Sequence, residues 1–549
     1  SGNRADLAFA YTAAASALHA SGYASVAVHH ARTAVAIFFD ELHDELNGVQ
    51  ALGTLANILA TLNELEEAEP TFRRAIELCE RFSFKQTGAT LWNNLGVLQD
   101  RHGRVEEALH SFESARDVAA AAGYSALQAN AESMIALALY DLGDPERAYG
   151  HACAGVEISE RLRASSERQE QRALRRHAAE RAEAAALTAA ATGRNEEAWN
   201  FSERAHARML AEELGGGPAT FARTREILRQ MPQRVALVSY VIVHHIVVAT
   251  VARSDRDSAF VVSTPMNEGA LAAAVEATCA RLMDEATVSD VPELSVLSQV
   301  LIDPVSDAID GADVLLIVPA GVLWNVPFAM LSDRGELLSN RCTLAFLPNA
   351  AVLHPDAVTI DPQALTVVGD PLGDLEGAKE EAAEVADQLG VSPLLGNDAT
   401  RERVRESLAA GGGIHFAGHA SFVDEQPELS GLRVANGRVS LVELASWNAR
   451  LPLCVLTACD SGRVGEIGGG EVVGLSTALL QLGARSVIAA QWSVYDVVGR
   501  RFTRMLYEAL LAGRSVGDAV AHAVAEISEQ SGYGRAPFIL IGDWRTAFR

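Results

Sequence analysis

His419 and Cys459 stand forty residues apart, one in the stretch "IHFAGHASF" (414–422), the other in "CVLTACDSG" (454–462). A thiol beside an imidazole is equipment for nucleophilic catalysis: the thiolate attacks, and the imidazole takes up the proton and returns it. Two other readings compete. His415 and His419 have the i, i+4 spacing of a zinc-binding helix, but that motif needs a glutamate directly after the first histidine, and Phe416 stands there. Residues four apart on a strand lie about 13 Å from one another, too far to share an ion without a bend. The plainer reading makes His419 a hydrogen-bonded interior residue and Cys459 a small buried hydrophobe, the commonest fate of cysteine.

What separates these readings is where each residue sits on its element. "GIHF" reads as strand, and Ala417-Gly418-His419-Ala420 leaves the sheet; "LCVLTA" reads as buried strand, and Cys459-Asp460-Ser461-Gly462 is the turn after it. Chemistry in an open parallel sheet collects beyond the carboxyl ends of the strands. If the two strands are neighbours, His419 and Cys459 meet above the sheet edge, which favours a catalytic pair. The surrounding sequence predicts such a sheet. The runs "VALVSYVIVHHIVVATVA", "DVLLIVPA", "LTVVGDP", "GIHFAGHA", "PLCVLTAC" and "ARSVIAAQW" are strand-like, and helical stretches such as "GAKEEAAEVADQLG" and "GEVVGLSTALLQLG" separate several of them. That alternation predicts an α/β domain with a largely parallel sheet. His244 and His245 are read as lying inside the first strand, at least one facing out.

Residues 1–214 follow another grammar, rich in alanine, leucine, glutamate and arginine. Aligned on their final alanines, "SGYASVA", "NELEEA", "GRVEEA", "GDPERA" and "GRNEEA" place Ala27, Ala68, Ala108, Ala148 and Ala198 at spacings of 41, 40, 40 and 50. A small residue recurring after a turn lets two helices approach closely, and a repeat of this length predicts a solenoid with a concave binding surface. The third unit, with Trp92, Leu95, Gly96, Gln99, Gly103, Ala108, Phe112 and Ala115, resembles a tetratricopeptide repeat. The grammar changes at "GGGPAT" (215–220).

The C-terminal half resembles a CHAT domain, the caspase-like cysteine peptidase module of the clan that holds caspases, separase and gingipains. "HFAGHA" is similar to its histidine motif and "VLTACDSG" to its cysteine motif. Supporting blocks follow in family order: "LLIVPAGVLWNVPFAML", "GDPLGDLEGAKEEAAEVADQLG", "GGEVVGLSTALLQLGARSVIAAQWSVYD" and "APFILIGDW". The resemblance implies a multidomain chain: an all-α tetratricopeptide solenoid (1–214), a linker and helix (215–234), a non-catalytic α/β part (235–357) and a catalytic caspase-like part (358–549). It implies Cys459 as nucleophile and His419 as base. The oxyanion donors would be the backbone N–H of Cys459 and that of Ala420 or Gly418. No third acidic member is identified, and His415 is read as a structural strand residue. Asp496, after the strand "SVIAAQW", is similar in position to the separase aspartate that receives the arginine before the cut. A carboxylate there would pair bidentately with a guanidinium. Its competing role is to cap the helix that follows. Asp460, Asp424 and Glu425 are reserve candidates for the same contact.

Composition bounds the partners. The net charge of −26 argues against direct nucleic-acid binding, which needs a basic stripe. Six irregularly spaced cysteines argue against a disulfide framework and for a reducing cytoplasm. No apolar run spans a membrane. No metal and no cofactor is expected: "GRVGEIGGG" (462–470) lacks the Gly-Lys-Ser/Thr ending of a phosphate cradle and reads as an activation or substrate loop. The expected partners are a protein substrate and a regulatory protein or ligand in the solenoid groove. By analogy with bacterial proteins of this architecture, the substrate class extends to gasdermin-like effectors in antiphage defence or programmed death. The alternatives are a catalytically inactive scaffold, and a hydrolase or acyl transferase using the same pair on a non-peptide substrate.

Overall fold

The computed structural model describes residues 2–165, 171–206, 219–283, 291–421, 430–447, 451–457, 464–467, 471–491, 496–528 and 538–549. Two compact units divide between Leu174 and Arg175.

The first unit is helical: α1 (Gly2–Ala20), α2 (Ala24–Ala36), α3 (Glu45–Thr61), α4 (Leu65–Arg81), α5 (Lys85–Arg101), α6 (Val105–Ala122), α7 (Ser125–Asp141) and α8 (Pro145–Ser165). The recurring alanines explain the stacking. Ala27, Ala68, Ala108 and Ala148 expose no surface, so each marks a point where helices meet with no room for a larger side chain. Gly96 does the same on α5: a Cβ there would sit 2.5 Å from the Phe112 ring on α6. A polar row links the first helix of successive pairs. Asn94 Nδ2 donates to Asn57 Oδ1 at 2.9 Å, and Asn130 Nδ2 donates to Asn93 Oδ1 at 3.0 Å.

The division falls in the first turn of α9 (Gln171–Ala191); the second unit takes in the rest of that helix and α10 (Asn195–Ala205) and is built on one large sheet. Its strands are β1 (Val235–Val243), β2 (Ile246–Arg253), β3 (Phe260–Pro265), β4 (Val314–Val318), β5 (Thr343–Phe346), β6 (Thr366–Gly369), β7 (Leu394–Leu395), β8 (Ile414–Ala417), β9 (Leu453–Leu456), β10 (Ser486–Ala490) and β11 (Phe538–Gly542). They lie in the order β7-β6-β8-β9-β10-β11-β5-β4-β1-β2-β3. Neighbours are parallel except at β10–β11 and along the β1–β2–β3 edge. The alternation of each strand feeds two cores. On β9, Leu453 and Val455 join one while Cys454 and Leu456 join the other. Helices α11 (Glu376–Leu389), α12 (Asp496–Leu511) and α13 (Val516–Ser528) supply apolar residues to the first of these.

Two local expectations change. The run from 235 to 253 is a hairpin, not one strand: His244 and His245 are its two-residue turn, with φ of 52° and 61°. Both central residues of a type I′ turn need positive φ, and the usual Asn-Gly signal is missing here. Within "GEVVGLSTALLQLG", Glu471–Gly474 is a strand that pairs antiparallel with Val464–Ile467, and the helix begins at Leu475. The pairing puts part of the 462–470 stretch into a hairpin; 462–463 and 468–470 lie outside the described residues.

Buried polar groups fasten α10 to the sheet unit. The Ala350 N–H donates to Glu203 Oε2 at 2.7 Å, and Asn349 Nδ2 donates to the Glu203 carbonyl at 2.7 Å. Burial pushes the Glu203 carboxyl up to about 7, against the Ala350 bond, which favours the charged form. Burial pushes His206 down to about 4. A carboxyl whose folded value is raised costs nothing below its ordinary value of 4.5. The penalty grows from there to about 7 and is constant above. Glu203→Gln keeps an acceptor without the charge. It should be more stable than the parent at pH 8, by up to about 3 kcal/mol, and close to it at pH 5, as read from urea melts at the two pH values.

Candidate active site

Three adjacent parallel strands, β6, β8 and β9, end at one rim. Ile414, His415 and Phe416 pair with Cys454, Val455 and Leu456, a constant offset of forty. On the other side, Phe416 and Ala417 pair with Val368 and Gly369. The pairing continues just past the strands: the Thr457 N–H donates to the Phe416 carbonyl at 3.1 Å, and the Asp370 N–H to the Ala417 carbonyl at 2.9 Å.

His419 stands two residues past β8, at this rim, with its side chain 37% exposed. Its carbonyl accepts the Arg433 N–H at 2.9 Å, and Ala420 pairs with Leu432 in a small antiparallel sheet of Ala420–Ser421, Gly431–Val434 and Gly437–Ser440. The chain is therefore held on both sides of the imidazole. Gly418 fits where little else could: an added Cβ would lie 2.9 Å from Pro371 Cδ and 3.3 Å from the Phe416 ring. That close approach brings the 370–375 loop over the end of β8. Out of this loop comes Asp374, whose Oδ1 is 3.1 Å from His419 Nε2. The sequence motif "GDPLGD" carries Asp374, but nothing in its spacing links it to a histidine forty-five residues on.

His415 points the other way. It exposes no surface and lies on the opposite face of β8 from Ile414 and Phe416. Its Nδ1 is 3.2 Å from the Tyr507 hydroxyl of α12. Its Nε2 is 3.3 Å from Glu381 Oε1 of α11, an ion-pair distance without hydrogen-bond alignment. The same Glu381 oxygen accepts the Thr457 hydroxyl at 2.7 Å. This set joins α11, α12, β8 and the residue after β9. Burial holds the Tyr507 phenol well above its ordinary value, so it acts as a neutral hydroxyl.

Cys459, Asp460, Asp424 and Glu425 lie outside the described residues. Asp496 is the first residue of α12, the helix that also bears Tyr507. Ala420 and Gly418 flank His419 in the chain, as described above. The five described cysteines are Cys79, Cys153, Cys279, Cys342 and Cys454. Burial pushes Cys79 up to about 11, Cys342 up to about 12 and Cys454 higher still, which suits inert packing groups. Among the described residues no three His, Cys, Asp or Glu side chains gather as a metal site, and no helix is long and apolar enough to cross a membrane.

Residues 291–543 match the CHAT domain family, and residues 47–121 match a tetratricopeptide repeat. The chain carries tetratricopeptide repeats followed by a CHAT domain. That domain belongs to a caspase-like, peptidase-related family, and tetratricopeptide repeats generally mediate contacts between proteins. Among curated proteins, Tetratricopeptide repeat protein 28 of Mus musculus is 28% identical over 296 residues, covering 42% of this chain and 12% of that protein. Its Homo sapiens counterpart is 26% identical over 293 residues, with the same coverage. The chain thus spans about one eighth of the length of these relatives. Among solved structures, the putative kinesin light chain TPR-like repeats of Podosopora anserina align at 17% identity and a TM-score of 0.31, covering 36% of this chain and 92% of that one. Aspartyl phosphate phosphatase F from Bacillus subtilis aligns at 16% and 0.32, covering 41% and 55%.

The buried set under the CHAT domain's rim has a measurable cost. Tyr507→Phe removes the hydroxyl facing His415 Nδ1 and leaves a buried ring nitrogen unsatisfied. Urea unfolding should register a loss of about 1–3 kcal/mol. No change would mean that the hydroxyl contributes nothing there.

Proposed function

We propose that the CHAT domain is a cysteine endopeptidase in which Cys459 is the nucleophile and His419 the base, acting on a protein substrate that the tetratricopeptide repeats recruit or gate. One observation carries this reading. The β8–β9 register pairs each residue with the one forty positions on, and His419 and Cys459 are separated by that same interval, each three residues beyond the paired Phe416 and Leu456. The partly exposed imidazole at the rim and the match to a peptidase-related family support it. In this mechanism the thiolate attacks the scissile carbonyl, and backbone N–H groups at Cys459 and at Ala420 or Gly418 receive the oxyanion. His415, buried within β8 against Tyr507 and Glu381, takes no part in this work. The catalytic part is 358–549, with 235–357 as its non-catalytic support.

The specificity part of the proposal rests on Asp496. The start of α12 follows β10, a direct neighbour of β9, on the side where the parallel strands end. A carboxylate beneath a pocket there would select arginine or lysine before the cut, because an apolar side chain would leave it buried and unpaired.

Cys459→Ala and His419→Ala should each abolish cleavage of a peptide library while leaving the thermal midpoint unchanged. Iodoacetamide should label Cys459 ahead of the five described thiols, three of which burial disables. Preferential labelling of Cys454, or inhibition by a chelator and not an alkylator, would refute the pair. Sequencing the library products should place arginine or lysine before the cut, and Asp496→Ala should erase that preference at unchanged stability. Cleavage after aspartate would rule out the acidic pocket.

A further inference from the structure

The contact between His419 and Asp374 fixes more than a position. An ionised carboxylate offers only acceptor atoms, so the ring nitrogen it meets, Nε2 at 3.1 Å, carries the hydrogen. A neutral imidazole has one N–H, so its lone pair lies on Nδ1. We propose that Asp374 is a positioning residue that holds His419 in the Nε2–H tautomer and makes Nδ1 the nitrogen that takes the thiol proton; this rests on the cysteine-peptidase reading above.

The 370–375 loop is built to present that carboxylate. Asp370 is 2% exposed and turns the chain with a φ of 43°, in the left-handed region. Its Oδ1 accepts the N–H groups of Asp374 at 2.9 Å and Leu375 at 3.0 Å. Its own N–H is bonded to Ala417 at the end of β8. Asp374 and His419 are therefore both referenced to the same strand end, one through Asp370 and the other through Gly418. Asp374 adds nothing to the core, since its side chain is 56% exposed. A buried aspartate thus holds the loop, and an exposed one faces the imidazole. That division of labour fits a carboxylate placed for His419 and not for folding.

The proton balance is simple. The S–H bond of the nucleophile breaks, an Nδ1–H bond forms, and the thiolate and imidazolium result. Nε2–H keeps its bond to the Asp374 carboxylate throughout, which opposes rotation of the ring as its charge changes. Nδ1 then passes the proton to the departing amine, which restores the starting tautomer.

The test compares the full chain with Asp374→Asn, Asp374→Glu and His419→Ala. An amide can donate as well as accept, so Asp374→Asn releases the tautomer at nearly constant shape. Iodoacetamide labelling of Cys459, followed by mass spectrometry, needs no substrate. Peptide kinetics and nitrogen-15 spectra of histidine-labelled protein complete the set. Asp374→Asn should slow Cys459 alkylation about tenfold, toward the His419→Ala rate, and lower kcat by at least about tenfold with KM unchanged. The Nε2–H signature of His419 should weaken, Asp374→Glu should recover part of each effect, and all thermal midpoints should agree. Wild-type alkylation and kcat in Asp374→Asn, beside a slow His419→Ala, would overturn the positioning role alone. Wild-type alkylation in His419→Ala would sink the catalytic pair, and the positioning role with it.

Discussion

The parallel register of β6, β8 and β9 is the constraint on which the rim depends. Two backbone bonds define its end, Thr457 N–H to the Phe416 carbonyl and Asp370 N–H to the Ala417 carbonyl. A slip of one residue would turn every side chain of β8 to the opposite face. His415 would enter the apolar core that holds Phe416, Cys454 and Leu456, and Phe416 would meet Glu381. Burying a phenyl ring is worth about 2–3 kcal/mol, and leaving an imidazole unpartnered costs about 1–3 kcal/mol, so the slipped sheet loses on both counts. The register is consequently enforced from inside the protein.

That inner enforcement has an unusual composition. Glu381, His415, Tyr507 and Thr457 are polar groups between strand and helix, where aliphatic packing would be the simple choice. A polar set in a low-dielectric interior is expensive unless its members meet in one geometry. The same geometry ties α11 and α12 to the two strand ends. Apolar side chains would tolerate a shift of either helix along the sheet far better than directed bonds do.

Much of this was legible in the sequence. Alanine at helix crossings and apolar runs of strand length are local signals, so the repeat register and the strands around 316, 367, 416, 455 and 488 were readable. His415 and His419 could be told apart because one lies within the strand run and the other in the segment that leaves the sheet. The His244-His245 turn was hidden because neither residue advertises positive φ as glycine or asparagine does. Asp374 was hidden for another reason. It reaches His419 only because β6 lies beside β8 and Asp370 folds the intervening loop, and neither fact is local. The same limit applies to the bonds by which α10, in the last repeat, joins the sheet through Glu203.

The buried fastening of α10 sets a rule for how such a chain can change in length. Upstream of residue 174 the repeats meet through alanine and glycine, and an asparagine row joins α3, α5 and α7. Helix α10 answers instead to Asn349 and Ala350 through its buried Glu203, which no copied repeat would supply. A gene duplication or deletion of about forty codons in the upstream stretch would lengthen or shorten the array while every sheet contact stays in place. A deletion at residues 175–205 would remove a piece of the second unit's own core, Trp199 included. Lineages should therefore differ in the number of leading repeats and keep the last pair single.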